Sequence, residues 1–513
     1  MTPALDLGAI APMLAVGSGA AVLPLAEVSL ARMIVRRGTW LSRPMTRELA
    51  GTMMAFMTAA ILAVALILTL TSFSAPVRSF DAAHPLIAMD ALTLFVSATL
   101  LIGAILTVLL SIRYLAELQS NRGEYYALVL ASVLGMMLLV ASTHLLMLFL
   151  ALELMTIPIY ALAGYQRGSL ASNESALKYF IIGSFAAALL VYGAALLYGT
   201  TGSLALSEIG ARFDPESPVA MIGAGLLIIG LAFKVGSVPF HQWAPDVYEG
   251  SPTTVTAFMA TAVKVAAFGA LVRVMVEAFG RSHQEFATPL WWMAVLSMTV
   301  GNVMAIVQNS LKRMLAYSSI AHAGYALIGV CVGTEAGHAA VLFYLLAYTF
   351  MTLGAFAVVA VALREDRSKG QIDDLAGLHA TRPFFAAVMA ISMFALAGIP
   401  GTAGFMGKYQ LFAAAIEEWM RNGDRDLLWL AVLGVLNSAV SLAYYLRVPV
   451  VMYMRDPRPD AVASAPSGSV GWLVLATCAL AVFLLGLVPH DVGLLWSFDT
   501  LAAASSAASA LTP

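Results

Sequence analysis

The sequence predicts an all-α polytopic membrane protein of about 14 transmembrane helices, arranged as two inverted repeats that each contain a broken helix. Three observations carry that expectation. Hydrophobic residues make up 61% of the 513 positions and charged residues only 11%, against roughly 25% charged in a soluble domain. Apolar runs long enough to cross a bilayer, about 20 residues each, consume most of the chain. Two of those runs are interrupted by glycine and proline beside a lysine.

The runs fall at about 8–30, 49–73, 86–112, 126–142, 143–165, 175–199 and 218–244, then at 253–278, 288–307, 314–333, 336–362, 383–416, 426–453 and 470–494. They lack the strict alternation of a membrane barrel, so helices are expected. The first run has no basic stretch before it and no small-residue cleavage site ahead of a polar region, so it reads as a retained span rather than a secretory signal. The expected organisation is helices 1–3 in 1–125, a first half-channel repeat in 126–280, a second in 288–453, and a last helix with tail in 454–513.

Composition excludes several classes. A net charge of -2 with no Lys/Arg run does not suit a nucleic-acid binder. The two cysteines, Cys331 and Cys478, lie in separate apolar runs, so neither a disulfide framework nor a cysteine metal site is expected. No G-x-x-x-x-G-K-S/T phosphate loop exists. Basic residues outside the runs divide 17 to 6 between the two sides, which places both termini on the outer side. Lys312, Arg313 and the Arg364–Lys369 segment read as cytoplasmic topology determinants. Asp90 and Glu27 read as boundary or inter-subunit groups, and His144 and His338, at run ends, as interfacial.

With Arg273 and Arg447, near the ends of their runs, counted among the loop cations, the four basic residues left inside runs are all lysine: Lys178, Lys234, Lys264 and Lys408, although the chain has six lysines against 21 arginines. A desolvated lysine can give up its proton, whereas arginine stays charged. Among the acids only Glu153 lies mid-run. Glu153 and Lys264 each sit about 15 Å into their helices, counting 1.5 Å per residue, which is close to the midplane. An unpaired charge there costs at least ~2.5–3.5 kcal/mol, so such residues must be paired or line a hydrated path.

The first interrupted run reads AFKVGSVPFHQWAPD, with Gly236, Pro239 and Pro245 after Lys234. The second reads ALAGIPGTAGFMGKYQ, with Gly398, Pro400, Gly401, Gly404 and Gly407 before Lys408. Proline removes a backbone donor and glycine favours unwinding, and paired breaks of this kind point to a transporter's ion path. They lie about 170 residues apart. The flanking segments SALKYFIIGSFAAALL and AAVLFYLLAYTFMTLG repeat at a similar spacing, as do Glu153 and His322.

These motifs resemble the subunit N family of bacterial-type respiratory NADH–quinone oxidoreductase (complex I), within the antiporter-like membrane subunits. The resemblance is carried by FKVGSVPFHQWAPDVYEGSP from Phe233, TAVKVAAFG around Lys264, QNSLKRMLAYSSIAHAGY from Gln308 and GIPGTAGFMGKYQLF from Gly398, and spans roughly residues 120–450. The paralogous subunits L and M and the Mrp-type cation/proton antiporters typically read WLPDA and a PTPVSA-like run where this chain has WAPDVYEGSPTTV. Subunit M usually has glutamate at the position of Lys408. Val235-Gly236 departs from the family's bulkier residue and serine.

The resemblance implies proton translocation coupled to electron transfer from NADH to quinone. Glu153 and Lys234 would form an ion pair that tunes the lysine's proton affinity, Lys264 would be the central relay, and Lys408 would lead to the exit. Lys178, His241 and His322 are secondary relay candidates. No cofactor or metal is expected on this chain; FMN and iron–sulfur clusters would belong to other subunits. The implied partners are subunit M, the small subunits J and K and the lipid of a bacterial inner membrane. The rival expectations are an Mrp-type antiporter subunit and a passive structural anchor. Buried lysines serve no purpose in an anchor, and no feature requires a quinone site.

Overall fold

A computed structural model describes residues 6–36, 43–73, 78–79, 81, 86–362, 370–457, 469–487, 505–506 and 509. The Arg364–Lys369 segment and most of the C-terminal tail lie outside the described residues. The chain is a helical bundle. Its first helices are α1 (Ala11–Arg36), α2 (Arg43–Ser72), α3 (Ala91–Glu117), α4 (Gly123–Ala141), α5 (Leu145–Ala163), α6 (Leu170–Thr201), the short α7 (Leu206–Arg212) and α8 (Pro218–Val235). Then come α9 (Trp243–Gly250), α10 (Thr253–Phe258), a π-helical turn at Met259–Val263, α11 (Lys264–Glu277), α12 (His283–Ile306), α13 (Leu311–Val332) and α14 (Glu335–Ala362). The last are α15 (Leu378–Thr381), α16 (Pro383–Ala397), α17 (Ala403–Asn422), α18 (Arg425–Met454) and α19 (Ser469–Leu487). Two two-residue strands, Arg78–Ser79 and Ala88–Met89, pair antiparallel.

Thirteen stretches among the described residues are long and apolar enough to cross a membrane. The fourteenth expected span is divided. α16 has 15 residues, about 22 Å of helix against a hydrocarbon core of about 30 Å, and the chain turns at 398–402 before α17 continues. The run expected at 218–244 likewise stops at Val235, where Gly236 caps it at φ +71°.

The bundle is layered by polarity of environment. The α10–α11 unit and α13 are buried along their length and α14 nearly so, whereas α2 and α18 present most of their surface outward. Lys264 and His322 therefore lie on the helices most enclosed by protein. One expectation fails here. Arg273, counted above with the loop cations, is 1% exposed. It donates to Asp90 (2.8 Å), Glu277 (2.6 Å), Thr93 Oγ1 (2.9 Å) and the Val140 carbonyl (2.7 Å). The interior is thus not reserved for lysine. A permanent cation is tolerated where two carboxylates and a carbonyl surround it, about 13 Å along α11 from Lys264. Asp90 caps α3 by accepting from Thr93 N, so it is an internal fastening. His338, expected at an interface, is 2% exposed.

Candidate functional site

The first break sets Lys234 in the last turn of α8, 1% exposed. A helix end leaves carbonyls without partners. Here Trp243, across the break, donates its indole N–H to the Phe233 carbonyl (3.0 Å), and Ser297 Oγ takes the Val238 N–H (2.8 Å). The Lys234 ammonium donates to Thr156 Oγ1 of α5 (3.0 Å) and sits 5.4, 5.6 and 5.9 Å from the rings of Phe233, Tyr179 and Tyr160.

Glu153 lies one turn before Thr156 on the same face of α5, the i, i+3 relation. It is close enough to act on Lys234 through its charge, but no direct ion pair joins them. Glu153 is half-buried, with Oε1 enclosed and lacking a protein partner. The expected pair is therefore a through-space interaction, with Thr156 taking the direct bond from the ammonium. Glu153 belongs to the rim of α5, where Leu154 and Ile157 face outward.

Lys264 is 4% exposed and opens α11 directly after the π turn. Such a turn adds a residue to the helical ring and recurs at functional sites. Its ammonium donates to the main-chain carbonyl of Ser319 on α13, and the Tyr348 ring lies 6.0 Å away. One turn along α13 is His322, buried, which shares hydrogen bonds with Tyr344 through Nδ1 and with Tyr445 through Nε2 (2.8 Å). The Tyr445 hydroxyl also meets Ser318 Oγ. Both Lys264 and Lys408 are within electrostatic reach of His322.

At the second break, Lys408 is 3% exposed. Its ammonium donates to the carbonyls of Leu396 (3.1 Å) and Ala397 (3.0 Å) and to Ser438 Oγ (2.9 Å), with the Tyr325 ring 4.6 Å away. An ammonium has three hydrogens, and all three are used. The two carbonyls are the orphans at the C-terminal end of α16, the negative end of its dipole. Gly398 makes the approach possible: it turns the chain at φ +88°, and a Cβ there would meet Lys408 Cδ at 3.1 Å.

The two remaining secondary candidates lie apart from this row. Lys178 bonds Glu174 and Asp246, both at 2.7 Å, and Asp246 in turn bonds Arg313 (2.8 Å), which also reaches Glu249 (3.0 Å). This network ties α6, α9 and α13 together at a partly exposed rim. Burial raises the Asp246 carboxyl, but the bonds from Lys178 and Arg313 outweigh it and hold it below its usual range. His241 is half-buried in the first break with Nδ1 unpartnered. The residues that sequence reasoning missed are hydroxyl-bearing: Thr156, Tyr179, Tyr248, Ser319, Tyr325, Tyr344, Tyr445 and Ser438. The available signal was a tyrosine hydroxyl inside an apolar run, which must find a partner or water.

A bundle with two helices broken beside buried lysines defines an antiporter-like membrane subunit. The family model described as NADH:quinone oxidoreductase/Mrp antiporter, TM matches residues 142–440. NADH-quinone oxidoreductase subunit N of Trichlorobacter lovleyi is 44% identical over 389 residues, 75% of this chain and 78% of that protein. Subunit N 1 of Sorangium cellulosum is 42% identical over 500 residues, 94% of this chain and 96% of that one. A chain of respiratory complex I from Thermus thermophilus is 36% identical, with a TM-score of 0.73 over 92% of this chain and 98% of its own. A chain of the Mrp complex from Dietzia shares the fold, at TM-score 0.81 and 19% identity over 99% of this chain and 98% of its own. The chain belongs to the NADH-quinone oxidoreductase subunit N family.

Proposed function

We propose that this chain conducts protons across the membrane as the subunit N of a respiratory NADH–quinone oxidoreductase, driven by redox chemistry in other subunits that hold the FMN and iron–sulfur clusters. The observation that carries the reading is the buried row Lys234, Lys264, His322 and Lys408, set on two breaks and the two most enclosed helices between them. Four ionisable groups in that setting are costly, and a row of exchangeable protons is a use that matches the cost.

In this reading Lys234 takes a proton under the influence of Glu153. Weakening that influence favours release toward Lys264, and His322 with its tyrosines connects Lys264 to Lys408. No covalent step and no redox centre on this chain is involved. The two breaks belong to two half-channel repeats. Subunit M and the small subunits J and K are the neighbours, and the chain lies in a bacterial inner membrane with both termini outside.

The Mrp-type alternative shares the fold, and ion identity separates the two. In inverted membrane vesicles, NADH-driven proton uptake by the assembled complex is expected to proceed at an unchanged rate when sodium is replaced by choline. Uptake that collapses without sodium would favour the antiporter reading instead.

A further inference from the structure

A path from Lys234 to Lys264 has to cross from α8 to α11, and several hydroxyl-bearing side chains lie near it. The Tyr179 ring lies 5.6 Å from the Lys234 ammonium and stacks on Trp243 at 4.6 Å. Trp243 meets Tyr248 edge-on at 6.0 Å. Tyr248 is fully buried, and its hydroxyl faces the side chain of Ser319 and the Tyr348 phenol. Ser319 thus presents its Oγ toward two tyrosines and its carbonyl to Lys264.

Tyr179 Oη, Tyr248 Oη and Ser319 Oγ are all enclosed, and although Ser319 faces Tyr248, none makes a well-formed hydrogen bond to protein. Buried hydroxyls are ordinarily satisfied, and three enclosed ones without a well-formed bond in the region of two lysines call for an explanation. Tyr248 is also firmly placed. Its carbonyl accepts from Thr256 Oγ1 at 2.9 Å, and Asp246, two residues earlier, ties α9 to both α6 and α13. The DVY segment, which otherwise serves only to mark the family resemblance, thereby acquires two physical roles: an acid that fixes the short helix and a phenol that it positions.

We infer that Tyr248, together with Tyr179 and Ser319, passes the proton between Lys234 and Lys264 through its hydroxyl. The inference rests on the reading of the lysines as proton carriers. A proton leaves Lys234 Nζ, and each hydroxyl oxygen accepts one hydrogen while releasing its own onward. Neutral Lys264 receives the last. Lys234 ends neutral, Lys264 ends as an ammonium, and every hydroxyl regains a single hydrogen, so no oxidant or further reactant is needed.

The experiment uses membranes carrying the whole complex and reads NADH-driven proton uptake, its solvent deuterium isotope effect and assembly. Tyr248→Phe deletes one oxygen and is expected to slow uptake about fivefold, the equivalent of one lost hydrogen bond, with an enlarged isotope effect and normal assembly. Ser319→Ala should slow it similarly and Ser319→Thr should restore most of the rate. Wild-type uptake and isotope effect in both Tyr248→Phe and Ser319→Ala would overturn the inference. So would a Ser319→Ala loss that threonine does not restore, because packing would then explain it. Should Tyr248→Phe not assemble, the Ser319 pair decides. Lys264→Ala in the same preparation separates the two levels: if it pumps normally, the lysine reading itself fails. If it is inactive while the hydroxyl variants are normal, only the present inference fails.

Discussion

The two breaks each hold a lysine, Lys234 in the last turn before its break and Lys408 in the second turn after its own, and they hold it in opposite ways. Lys408 reaches back to two carbonyls of its own broken helix and to Ser438, so its three hydrogens are all bonded. Lys234 has one hydrogen bond, to Thr156, amid aromatic rings, and feels Glu153 only across a gap. The partners of Lys408 are mostly main-chain dipoles, fixed unless the helix end moves. The hydrogen-bond partner of Lys234, Thr156, and the nearby carboxylate of Glu153 are side chains on a different helix, α5. On the proposed reading, the contrast makes Lys234 the lysine more open to its surroundings and Lys408 the more firmly held.

The largest effect that would sharpen this contrast is at Lys408. Lys408→Ala removes a cation and leaves the enclosed Leu396 carbonyl without a donor, at about 1–3 kcal/mol, while Ala397 keeps its bond from Ser438 Oγ (3.2 Å). Proton uptake should be abolished and assembled complex reduced, read by uptake in vesicles and by native gels. An assembled, actively pumping Lys408→Ala would break the view of Lys408 as a required station.

A smaller effect is expected at the first break. At an effective dielectric constant of ~20, charges that interact through space without a direct bond couple by about 1–2 kcal/mol. Glu153→Gln should therefore slow uptake by roughly tenfold at most. A double-mutant cycle with Lys234→Ala should be clearly non-additive. Strictly additive losses would show that Glu153 and Lys234 work independently.

The smallest effect is at the rim. Asp246→Asn loosens an exposed network, and such pairs contribute little individually, so uptake should change by no more than about twofold near neutral pH. Because the folded carboxyl is held low, its contribution is present above the ordinary aspartate range and lost as pH falls through the lowered value. An Asp246→Asn variant as damaged as Lys408→Ala would mean that the rim, rather than the breaks, controls the path.

Much of this was legible in the sequence, because the bilayer leaves little choice. Spans of about 20 apolar residues and glycine–proline interruptions have one physical meaning in hydrocarbon. Both breaks fall where Gly236 and Gly398 place them, and Lys234, Lys264 and Lys408 are enclosed. What was illegible has particular causes. The π turn at Met259–Val263 is written in ordinary apolar residues. The partner of Lys264 is a main-chain carbonyl, which no residue type announces. A carboxylate one turn from a threonine cannot be ranked against it without the helix rotation, so Glu153 looked like the direct partner of Lys234. Arg273 looked like a loop cation because Asp90, its partner, is 183 residues away in the chain.

The claim at the centre is that the buried lysines act by exchanging protons and not as fixed charges, and Lys264 tests it most directly. Lys264→Arg keeps a cation against the Ser319 carbonyl but removes the ability to deprotonate. With assembly verified, NADH-driven proton uptake in membrane vesicles should fall at least tenfold, about 1.4 kcal/mol in barrier. Uptake at the wild-type rate in Lys264→Arg would contradict it, leaving Lys264 as a static charge.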